Sequence, residues 1–79
     1  MSFTVLFHEV APSGGGFVPS GNPEHLGTFA SEAQARSFIS SNVNTYDREW
    51  MGEAEIAGQR EPMALFQAGT LMGFYRITA

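Results

Sequence analysis

The chain has 79 residues and a net charge of −4 at pH 7, with neither cysteine nor lysine in its composition. A length of this order makes one domain, residues 1–79, with a small core and modest stability. The missing cysteines exclude disulfides and thiolate metal sites. The four cations, Arg36, Arg48, Arg60 and Arg76, form no basic stripe, so direct nucleic-acid binding is not expected.

No apolar run approaches the roughly 18 residues that span a bilayer. The N-terminus lacks the basic patch followed by an apolar run that marks a secretory signal. A soluble protein of the cytoplasm, needing no cofactor, is the expectation.

Residues 3–10, FTVLFHEV, alternate: Phe3, Val5 and Phe7 face one side of a strand, Thr4, Leu6 and His8 the other. Residues 11–23 hold three of the four prolines and four glycines, which predicts a mobile loop or the tip of a wide hairpin. Phe17 and Val18 within it are positioned to clip the loop to the body. Residues 24–29, EHLGTF, read as a short second strand that pairs with the first.

A helix is predicted over about residues 31–42. Ser31 is a good N-cap, Gln34 three residues on completes a capping box, and Glu32 places a negative charge where the helix dipole favours it. Ala35, Phe38, Ile39 and Asn42–Val43 share one face at i, i+3, i+4 spacing. Ser40, Ser41, Asn42 and Asn44 weaken the far end. A helix of about three turns is marginal alone in water and has to be held by a sheet.

After the helix comes NVNTYDREW, a connection with Tyr46 and Trp50 at i, i+4 spacing, read as a loop leading into a strand at about 49–57, EWMGEAEIA. Trp50, Ala54 and Ile56 would face one way, and Met51, Glu53 and Glu55 the other, giving one apolar and one acidic side. A helix over 46–56 is the rival, because Glu and Ala favour it. Residues 58–62, GQREP, read as a turn, and 63–67, MALFQ, as a strand. Ala68-Gly69-Thr70 then makes a short hairpin loop into the last strand, 71–78. In that strand Leu71, Gly73, Tyr75 and Ile77 are expected on one face, with Met72, Phe74 and Arg76 on the other.

The fold class that follows is α+β: an antiparallel sheet of four or five strands with one amphipathic helix packed on one face. Phe3, Val5 and Phe7 lie under the helix, completed by Trp50, Ile56, Tyr75 and Ile77. The far face, with Leu6, Phe66, Met72 and Phe74, is left open, and an exposed apolar patch of that kind often marks a partner or dimer surface.

The catalytic inventory is thin. Ser13-Gly14-Gly15-Gly16 is not a phosphate loop, which needs G-x-x-x-x-G-K-[ST]. No G-x-S-x-G elbow or positioned base beside a nucleophile is visible. Glu53 and Glu55 side by side on a strand do not flank a cleft as glycoside chemistry requires. The pairs His8-Glu9 and Glu24-His25 have the residue types for zinc, without its ligand spacing, so a metal protein or small enzyme using His8 and His25 is an alternative. The strongest charge feature is the run of Asp47, Glu49, Glu53, Glu55 and Glu61, which holds five of the eight acids. Its plainer reading is a solvated strand face and turn. Its sharper reading is a negative surface for a basic groove on another protein, with Tyr46, Trp50 and Met51 as anchors among the acids.

The layout FTVLFHEV, LGTFASEAQARSFI, EWMGEAEIA and LMGFYRIT resembles that of the small acidic anti-CRISPR inhibitors encoded by phages. The resemblance covers the whole chain in size, charge and layout, and carries no family residues over. It implies a non-enzymatic protein in the host cell cytoplasm that binds a CRISPR effector complex and blocks nucleic-acid engagement. A homodimer or assembly component using its second sheet face or edge strands is the other reading.

Overall fold

Three short turns set the architecture. In the computed structural model, which describes residues 2–45 and 50–79, each hairpin closes over two residues with positive φ: Gly14 and Gly15 (56° and 83°), Ala57 and Gly58 (53° and 78°), and Ala68 and Gly69 (51° and 78°). Positive φ at both central positions is the signature of the type I′ turn, whose twist matches that of paired strands. The strands they join are β1 (Phe3–Ser13) with β2 (Gly16–Phe29), β3 (Trp50–Ile56) with β4 (Gln59–Gln67), and β4 with β5 (Thr70–Thr78). One helix, α1 (Glu32–Thr45), links the two halves. The five strands form one antiparallel sheet in the order β2-β1-β5-β4-β3, so the fold is α+β as expected.

The N-terminus of α1 is capped as the sequence predicts. The Gln34 amide N–H donates to Ser31 Oγ at 3.2 Å. The Gln34 side-chain oxygen in turn accepts from the Ala30 N–H at 3.2 Å, one residue earlier than in the standard capping box. The helix runs past Asn42 to Thr45. Tertiary packing offsets the weak propensity of its last turn: Val43 is buried, and Asn42 Oδ1 accepts a 2.6 Å hydrogen bond from the Tyr75 hydroxyl.

Two clusters lie on opposite faces of the sheet. Under the helix, Val5, Phe7, Leu65 and Tyr75 pack against Ala35, Ile39 and Val43, flanked by Phe3, Leu26, Phe29, Phe38, Met63 and Ile77. On the other face, Ile56, Ala64, Leu71 and Phe74 form a second cluster with Val10, Phe17, Ala54 and Phe66. Ile56 therefore belongs to the far face and not to the core beneath the helix.

Four expectations are corrected. Residues 11–23 are not a loop but the distal half of the β1–β2 hairpin, paired Glu9↔Ser20 through Ser13↔Gly16. Residues 59–62 are strand and not turn, because Ala57–Gly58 alone make the reversal. Pro62 is tolerated there because the β3–β4 register shifts between Gly52 and Ala54, opposite it. Leu71 joins Phe74 on the far face: Leu65 pairs with Gly73 but Phe66 with Leu71, so Met72 is bulged out and breaks the period-2 pattern. Finally, the far face is not left open. Phe74 is 1% exposed, and Val18 and Met72 are the exposed large hydrophobics among the described residues.

What closes that face is the hairpin arm. Between Phe7↔Glu24 and Glu9↔Ser20, β1 contributes one residue and β2 three, Gly21 to Pro23. Extra residues bend the strand that carries them, and Gly21 at φ 70° supports the bend. Val10 and Phe17 thereby reach the second cluster, and the Ala57 N–H donates to the Phe17 carbonyl at 2.8 Å. The arm of β2 thus comes beside β3, the other end strand, leaving a seam between them.

Candidate interaction surface

Of the acidic and aromatic residues singled out in the sequence, Tyr46, Asp47 and Glu49 lie outside the described residues, as does the side chain of Trp50. The backbone of Trp50 opens β3, an end strand of the sheet, so the region is strand from that point and not the rival helix. Glu53 and Glu55 project on one side of β3 and are exposed, while Ala54 and Ile56 turn toward the second cluster. This alternation is the one the sequence predicts.

Arg60 sits directly across from Glu55 on β4. Its guanidinium engages Glu53, with Nε donating to Oε2 at 3.0 Å and Nη2 to the same oxygen. Glu53 is thus partly neutralised, and Glu55 is the acid at the centre of the exposed strip. Such a pair between exposed side chains contributes little to stability, but it fixes the geometry of the strip.

Glu61 does not join them. Directly opposed residues share a face, and Glu61 opposes Ala54, which places it on the inward side. Its side chain is 7% exposed and accepts from Arg76 Nη2 at 2.5 Å. Arg76 also reaches Gln59 Oε1 at 3.3 Å and lies over the Phe74 ring at 5.2 Å from the centroid. His8, paired with Phe74 across β1 and β5, stacks on that same ring at 4.7 Å with an interplanar angle of 2°. Its Nε2 is buried and has no hydrogen-bond partner in the protein. Burial holds the imidazole pKa below its ordinary value; the Arg76 cation adds to this and Glu61 opposes it.

The His8–Phe74–Arg76–Glu61 group is the feature that sequence reasoning missed. Its signal was the alternation of Phe74 and Arg76 with His8 at the matching register, hidden by the reading of 58–62 as a turn. The histidines do not converge. His25 lies opposite Leu6, and its Nε2 is 3.2 Å from Thr28 Oγ1. Among the described residues no group of three or more His, Asp and Glu gathers to hold a metal ion.

Beside the acidic strip the seam leaves a shallow cleft of about 440 Å³. Phe17, Ala54, Phe66 and Leu71 give it an apolar floor, and Glu55 stands at its rim. Among the described residues no helix is long and apolar enough to cross a membrane. No family model matches the chain, nor does any curated protein or solved structure.

Proposed function

We propose that this protein is a non-enzymatic binding module that engages a basic surface on another protein through the acidic side of β3. Its most concrete form is an inhibitor of a CRISPR effector complex, as the resemblance in layout implies, acting by occupying a groove built for nucleic acid. The observation that carries this reading is the placement of Glu53 and Glu55, exposed on a strand at the end of the sheet. In a chain of net charge −4 these acids give the encounter a direction, since complementary charge steers association and fixes register. Other polar groups hold the fold: Glu61 and Gln59 hold Arg76, and Asn42 holds Tyr75.

The test is capture of purified CRISPR effector complexes by the tagged protein, with target-DNA binding by the effector as the second readout. Reversal of Glu53 and Glu55 to lysine is expected to weaken capture by on the order of tenfold or more and to restore DNA binding. Capture and inhibition unchanged by the reversal would remove β3 as the binding surface.

A further inference from the structure

The sheet is open, with an unpaired edge at each end. Its order ends at β2 and β3, and among the described residues the seam between them carries one backbone hydrogen bond, Ala57 N–H to the Phe17 carbonyl. The two ends differ. β2 contains Pro19 and Pro23, which donate no hydrogen bond; prolines protect an edge from further pairing. β3 has no proline, and from Gly52 to Glu55 it is paired with β4 alone: the β2 arm comes near its outer side at Phe17 but forms no ladder with it.

From this asymmetry, and building on the protein-binding reading above, we infer that β3 accepts an extended segment of the partner as a sixth strand, and that this segment alternates basic and apolar residues. The backbone edge supplies the pairing, as in other cases where a peptide extends a sheet. The alternation follows from the pleat, because side chains opposite each other across a pair share a face. On one face the incoming strand meets Glu55, which selects cations, beside Glu53, whose carboxylate is shared with Arg60. On the other it meets Ala54 and the apolar floor of the seam cleft, Phe17, Phe66 and Leu71, which select small aliphatic side chains. A second copy of this chain is a poor occupant, since two antiparallel β3 edges would set Glu53 and Glu55 against their own like charges. The acids thus exclude self-pairing and admit a basic strand with the same two side chains.

The experiment uses the full-length protein and synthetic peptides. The probe is a peptide of alternating lysine and valine. Its controls are the same composition with the lysines in adjacent pairs, the alternating peptide N-methylated at every second amide, and an alternating glutamate–valine peptide. Binding is read by calorimetry, and its location by amide hydrogen exchange. The lysine–valine peptide is expected to bind and to slow exchange at alternate amides of residues 52–55, and every control to bind about tenfold more weakly or not at all. Glu53→Gln with Glu55→Gln is expected to weaken binding with unchanged exchange protection at Leu65 and Tyr75, which reports an intact fold. Equal binding of the N-methylated or paired-lysine peptide would overturn strand addition while leaving the charge-driven binding module standing. No binding by the lysine–valine peptide, or protection of β3 through concentration-dependent self-association instead, would overturn the inference outright. Capture of an effector is scored separately, so the two readings fail independently.

Discussion

At the scale of single residues, His8 carries a ring nitrogen cut off from water with no partner to replace it. Its buried Nε2 lacks a protein partner, and its ring lies flat on Phe74, with Arg76 close to the same aromatic and Glu61 already committed to Arg76. A neutral imidazole fits this site and an imidazolium does not, which is why the folded-state pKa falls below 6.5. The unfolded chain then binds a proton first as pH drops. The stability His8 contributes is complete above about pH 6.5 and is lost as pH falls from there through the folded-state value. Thermal denaturation between about pH 7.5 and pH 5 is expected to show this loss, and His8→Phe, which keeps the stack and removes the proton, to flatten that part of the profile. A His8→Phe profile parallel to the parent's would show that another group dominates the acid response. Neighbouring Gly73 makes a second demand. A Cβ there would meet the His8 carbonyl oxygen and lie 2.5 Å from Phe7 Cζ. Because one obstacle is backbone, the clash has no cheap relief. Gly73→Ala is expected to cost about 3 kcal/mol in chemical denaturation, and a cost under about 1 kcal/mol would mean that β1 and β5 shift freely.

At the scale of elements, legibility followed local chemistry. The helix start was readable because Ser31 and Gln34 act within one turn of each other, and the first strand because Phe3, Val5 and Phe7 alternate cleanly. β3 was readable from the alternation of Ala54 and Ile56 with Glu53 and Glu55. What stayed hidden depended on register. Prolines at 12, 19, 23 and 62 read as loop or turn, yet all four sit in strands, because the β1–β2 and β3–β4 register shifts, the unpaired edge of β2 and the end of the β1–β5 pairing at Glu9 leave room for them. Strict period 2 assigned Leu71 to the helix side, and the bulged Met72 moves it to the other. The same limit governed the candidate surface. Glu53 and Glu55 were found because their exposure follows from the pattern of their own strand. Glu61 was misplaced because its neighbourhood is decided across strands, by Ala54 opposite and Arg76 on β5. The end of α1 was under-read for a related reason: Ser40, Ser41 and Asn42 weaken an isolated helix, while Val43 and the Tyr75–Asn42 bond hold this one against the sheet.

At the scale of the molecule, two clusters on opposite faces of one sheet predict two levels of stability. The cluster beneath α1 is closed by a capped helix and buries Val5, Ile39, Leu65 and Tyr75 at 1% exposure or less. The cluster on the far face is closed by an arm whose tip, from Ser13 to Gly16, is exposed and whose hold on β3–β4 is the half-buried Phe17 with its backbone bond to Ala57. Phe17→Ala removes the side chain that seats the arm and leaves the sheet pairing of β1, β4 and β5 untouched. Half-burial puts the cost at about 1–2 kcal/mol, below that of a fully buried phenylalanine. The loss is expected to be local: amide exchange at Ile56 and Ala57 accelerates, while Ile39 and Tyr75 keep their protection. Phe17→Leu, which retains an apolar seat, should fall between the two. If exchange instead rises equally at Tyr75 and Ile56, the two faces unfold as one unit, and the seam is no weaker than the core behind the helix. The distinction bears on binding, because a strand added along β3 meets the arm at Phe17. A seam that opens at low cost lets that strand seat without unfolding the domain, while the ladder with β4, whose Leu65 is buried under the helix, keeps β3 in register.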